Sequence, residues 1–151
     1  MATWAEFAEA APEIAAAGRR LLYRTDTGVA LLSTVRDGGL PRIHPINVAI
    51  LEGRLLAFIL PSPKAADLVE DGRFALHAHQ DPDAPHECLI RGRARAIDDP
   101  GARARFADAW SFSVDESYRL FEFLIEHAVF GERASPDVWP PRYTSWRLAA
   151  G

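Results

Sequence analysis

The spacing of apolar positions changes character along the chain, and each change predicts an element. Thr3-Trp4-Ala5-Glu6 has the form of a capping box, which predicts a short helix from about Thr3 to Ala10. Pro12 suits the first position of a second helix, and Ile14, Ala15, Leu21 and Leu22 fall on one helical face as far as Leu22. After Gly28 the helical spacing stops. Val29-Ala30-Leu31-Leu32-Ser33-Thr34-Val35 is short, apolar and partly β-branched, and Asp37-Gly38-Gly39 ends it in a turn. Arg42 to Ile50 reads as its partner, and Glu52-Gly53 turns the chain into a third strand, Arg54 to Leu60. Connections this short require antiparallel neighbours.

Ser62 then offers a side-chain cap, Pro63 occupies the first helical position, and Gly72 is placed to end the helix. Arg73 to His79 predicts a fourth strand, Gln80 to Pro85 a loop, and Glu87 to Ile97 a fifth strand with Leu89, Arg91, Arg93 and Arg95 on one face. Asp99-Pro100 opens a helix reaching about Trp110. Phe121, Phe123, Ile125 and Val129 alternate, so Tyr118 to Phe130 is read as a strand, and Tyr143 to Leu148 as a last short one. The expected fold is one domain over residues 1–151, mainly β with flanking helices: a helical segment, 1–23, then a small antiparallel barrel, 28–149.

Composition narrows the function classes. Hydrophobic residues make up 48% and charged residues 25%, enough to bury a core, and a net charge of −4 argues against a general nucleic-acid binder. The single cysteine, Cys88, excludes an internal disulfide and a four-cysteine zinc site. No window approaches the roughly 20 apolar residues of a membrane span. Met1 to Glu6 lacks the basic start of a leader, so the expected location is cytoplasmic and off the membrane. His77, His79 and His86 have no partner at convincing ligand spacing, so no metal is assigned.

One lysine stands against sixteen arginines, and it sits at an informative place. In Phe58-Ile59-Leu60-Pro61-Ser62-Pro63-Lys64 a strand hands over to a helix start, whose free amides, the Ser62 hydroxyl and the Lys64 ammonium suit a phosphate. The plainer alternative is a capped helix with a solvated lysine. In Pro41-Arg42-Ile43-His44-Pro45-Ile46-Asn47, Arg42 can present a fork to a phosphate, and Pro45 belongs at an edge or a gap in the ladder. Here too a hairpin rim with an exposed Arg and His accounts for the same residues.

Together, Gly-Gly-Leu-Pro-Arg-Ile-His-Pro-Ile, Ser-Pro-Lys-Ala-Ala-Asp-Leu and Asp-Gly-Arg-Phe-Ala-Leu, in this order and spacing, resemble the pyridoxamine 5′-phosphate oxidase-like family, the flavin-binding split β-barrels. The similarity runs from about Gly28 to Leu76, with weaker support as far as Trp146-Arg147, and is nearest the small bacterial members. It implies a Greek-key-like split barrel and a homodimer holding FMN at its interface. It places the FMN phosphate on Arg42, Ser62 and Lys64, and the ring along Ile43 to Asn47, with backbone contacts at Ile43, His44 and Pro45. Phe58 and Ile59 would line the site, and Trp146 and Arg147 would reach in from the partner. Because histidine titrates near neutrality, His44 is the candidate proton donor.

Departures from the oxidase are equally specific. Pro63 stands where the family has a second basic residue, Asn47 stands for a strand lysine, and the substrate-phosphate stretch and late Arg-x-His pair are missing. The resemblance therefore implies an FMN-dependent oxidoreductase acting on a small molecule other than pyridoxamine phosphate. A deazaflavin-dependent reductase, or a flavin or haem carrier or sensor without turnover, are the alternatives.

Overall fold

The computed structural model describes residues 1–151, with seven strands and four helices. In chain order these are α1 (Trp4–Ala10), α2 (Pro12–Leu22), β1 (Gly28–Val35), β2 (Pro41–Leu51), β3 (Arg54–Ile59), α3 (Pro63–Glu70), β4 (Arg73–His77), β5 (Glu87–Ala96), α4 (Pro100–Asp108), β6 (Arg119–Glu132) and β7 (Arg142–Arg147). Thr3 and Glu6 form the expected capping box, and Asp99 and Ser62 accept from Ala102 and Ala65 at the starts of α4 and α3. Four strands stop short of their expected ends: Leu60, His79, Ile97 and Leu148 lie outside β3, β4, β5 and β7. Helix α4 ends at Asp108 rather than near Trp110, and Trp110 instead packs beneath the segment that follows.

All pairings are antiparallel, in the order β3-β2-β1-β4-β5-β6-β7, and an added β3–β6 ladder closes six strands into a barrel. The 14-residue β6 makes this possible. Its first residues pair with β3, its length with β5, and its last residues with β7. Alternate inward residues, among them Leu32, Val48, Leu55, Ile90, Phe121 and Phe123, fill the barrel. Trp4, Phe7, Leu21 and Leu22 of α1 and α2 join that core from one end, and Ala65 and Leu68 of α3 from the other. Helix α4 lies outside, where Phe106 and Trp110 bury Leu56, Phe58 and Leu120 in a second cluster. That cluster braces β3, one wall of the site described next.

Candidate functional site

The barrel is open along one seam. β2 and β3 pair only where Ala49–Leu51 face Leu56–Arg54. Beyond that, β3 keeps its other edge on β6 and β2 keeps its other edge on β1. The facing segments Pro45–Asn47 and Phe58–Leu60 have no ladder between them and wall a cavity of about 190 Å³. Lys64 from the first turn of α3, with Phe112 and Tyr118 from the segment before β6, completes the wall. A strand edge without a ladder leaves main-chain donors and acceptors to be satisfied by something else, which suits a flat polar ring. Pro45, having no amide hydrogen, costs nothing at such an edge.

Lys64 is half-buried and has no carboxylate within ion-pair distance. It is a free cation beside a helix start, the arrangement an anion needs. Arg42 differs. Its Nε donates to Asp67 Oδ2 at 2.9 Å, and Thr34 Oγ1 donates to the same oxygen at 2.7 Å. Burial alone would raise the Asp67 carboxyl, but the Thr34 hydrogen bond and then the Arg42 guanidinium overcome it and hold the group below its usual range. Asp67 thus cancels much of the Arg42 charge, while the outer nitrogens of the fork stay uncommitted. Ser62 Oγ donates to the Leu60 carbonyl at 2.8 Å and accepts from the Ala65 amide at 3.4 Å. Ser62 lines a neighbouring hollow of about 400 Å³, together with Ala66 and Arg119, rather than the seam.

The other expected residues divide by strand face. Ile43 points outward and is 66% exposed. Pro45 and Asn47 follow it on the same face and line the seam. Arg42 and His44 lie on the opposite side of β2, His44 across from Leu32, and His44 does not line the cavity. Phe58 is held edge-on against Trp110 at 5.0 Å, with the Arg103 guanidinium 5.4 Å from its ring centre. Ile59 is buried in the barrel core and contributes to the wall. Trp146 packs on Phe7 at 5.2 Å and pairs across from Ala128, towards the end of β6 remote from the seam. Arg147 lies opposite His127.

Sequence reading missed Asp67, Thr34, Phe112 and Tyr118 as parts of this region. Asp67 follows Lys64 by three positions, so the two share one side of α3, and that spacing was a usable signal. Phe112 and Tyr118 come from an irregular segment with no periodicity to read.

No protein-family model and no curated protein matches the chain. Solved structures match in fold. A Clostridium acetobutylicum protein related to general stress protein 26 of B. subtilis, of the pyridoxinephosphate oxidase family, superposes with a TM-score of 0.66 at 11% identity, covering 88% of this chain and 93% of its own. The fold is that of the pyridoxamine 5′-phosphate oxidase-like split barrels. An FAD-binding protein from Mesorhizobium loti matches with a TM-score of 0.57 at 20% identity, over 78% of this chain and 91% of its own. A haem-binding protein from Mycobacterium smegmatis gives 0.62 at 17% identity over 85% of this chain, which spans only 57% of that protein's length.

Proposed function

We propose that the protein binds FMN in the seam, completes the site with a second copy of itself, and serves as an oxidoreductase for a small molecule. The observation carrying this is the unladdered pair of strand edges beside an unpaired, half-buried lysine at a helix start. Lys64, through its ammonium and its own main-chain amide, would hold the phosphate, because Pro63 has no amide hydrogen and the Ala65 and Ala66 amides already bond Ser62; the outer nitrogens of Arg42 would be a second donor. The edges at Pro45–Asn47 and Phe58–Leu60 would meet the ring. When bound, the flavin supplies hydride and electron transfer, while the chain orients it and limits water.

One seam is smaller than the roughly 300–1,000 Å³ usual for a ligand of this size. Beside it, Ile43 and Leu31 are exposed on the outer sheet face, 66% and 36% respectively. Both features favour a second copy closing the site over that face. The FAD- and haem-binding neighbours support flavin or haem as the ligand class. Flavin is favoured because the seam offers an unpaired lysine for a phosphate, no histidine or cysteine, and only Tyr118 among side chains of a type that ligates haem iron.

The test is reconstitution with FMN, read by the oxidised-flavin absorption bands and by release of FMN mass on denaturation. Lys64→Ala should weaken binding about tenfold or more. Preference for a deazaflavin, or unchanged FMN affinity in Lys64→Ala, overturns the assignment. Consumption of a reduced nicotinamide by the FMN-loaded protein separates an enzyme from a carrier.

A further inference from the structure

The outer face of the barrel carries a second arrangement, away from the seam. Arg91 on β5, His127 on β6 and Arg147 on β7 stand directly opposite one another in consecutive ladders. Directly opposed side chains on one sheet face begin about 5 Å apart. Three groups that are or can become cationic are therefore crowded into one row. Neither arginine has a carboxylate within ion-pair distance, whereas Arg42, Arg54, Arg73, Arg95, Arg105, Arg119 and Arg142 each do. The buried Nδ1 of His127 has no hydrogen-bond partner.

A β-bulge builds this row. Gly92 pairs with Ile125, but Arg91 pairs with His127, so Glu126 is displaced from the register. Without the extra residue Arg91 would face Glu126, an opposite charge; with it, Arg91 faces an imidazole. The bulge also demands its glycine, because a Cβ at Gly92 would lie 1.9 Å from the Leu124 carbonyl oxygen. Like charges directly opposed on a sheet are destabilising. A fold that sets aside the available acid to make such a row leaves room for a negative charge from outside.

We propose that Arg91, His127 and Arg147 form a binding site for a small oxyanion, the phosphate or carboxylate group of a diffusible molecule. Burial, Arg91 and Arg147 all lower the His127 basicity, against a smaller opposing influence of Glu126. An anion in the row reverses the two guanidinium effects. The row continues through Ala75 and Ser33 to Ile43, so the site shares its sheet face with the seam. Three strand spacings, about 14 Å, separate β5 from β2, so this is a separate subsite.

The test follows the His127 ring by NMR titration in cofactor-free protein, with His127→Asn assigning the resonance. Inorganic phosphate should raise the His127 midpoint by about one pH unit relative to chloride at equal ionic strength. Acetate, run in parallel, shows whether a carboxylate serves as well. Arg91→Gln with Arg147→Gln should abolish the response, and Arg147→Gln alone, at an exposed position, should weaken it if the double variant does not fold. An equal shift in chloride, or a response surviving in the variants, overturns the site. So does an equal shift on raising protein concentration without phosphate, which assigns the anion to a second copy's carboxylates. The readout needs no flavin, so failure here and failure of the FMN reading are separable.

Discussion

Asp67 is the residue on which the proposed anion end of the seam turns. Its carboxylate joins Thr34 and Arg42, fixing the guanidinium while reducing its pull on a phosphate. Asp67→Asn should cost about 1.5–3 kcal/mol near neutrality, measured by urea unfolding. The carboxyl is held low in the folded state, so its contribution is full above the unfolded value of about 3.9 and is lost as pH falls through the lower folded value. The penalty of the variant should therefore shrink below about pH 4. Cys88 makes a plainer case. Burial pushes its thiol up to about 12, so it should resist a disulfide reagent in the native protein and react fully in denaturant. Modification at the native rate of a free thiol would contradict its place in the core.

At the scale of elements, most of the barrel was legible. The caps at Thr3, Ser62 and Asp99 depend on local chemistry alone, and each holds. Alternation in Phe121, Phe123 and Ile125 correctly predicted a strand, because one side of β6 faces a single core. What alternation could not show was the displaced residue in that strand. The bulge opposite Gly92 depends on a close approach between Gly92 and Leu124, on strands far apart in sequence, and no local pattern records it. Gly92→Ala should destabilise the protein by about 3 kcal/mol or more, seen in thermal or urea unfolding. An Ala variant of near-native stability would mean that the strands can shift apart and that the bulge does not set the row.

For the whole molecule, the decisive question is whether one chain suffices. The exposed Ile43 and Leu31 lie beside a seam cavity of about 190 Å³, below the roughly 300–1,000 Å³ usual for a ligand of flavin size. In a two-fold interface each substitution acts twice. On the proposed reading of a dimer that completes the flavin site, Ile43→Glu or Leu31→Glu should raise the dimer dissociation constant at least about tenfold, measured by sedimentation, and should weaken flavin binding in step. Loss of dimer with full FMN affinity would place the complete site within one protomer.

The sequence by itself determined the element types, the antiparallel hairpins, the capped helix starts and the position of the lone lysine, because each follows from short-range periodicity or from groups within a few residues. Tertiary structure alone decided where β2 and β3 part, that Asp67 claims Arg42, that Trp146 turns towards Phe7, and that Arg91 meets His127. Those outcomes depend on which edge of each strand finds a partner, and closing a barrel settles all the edges together.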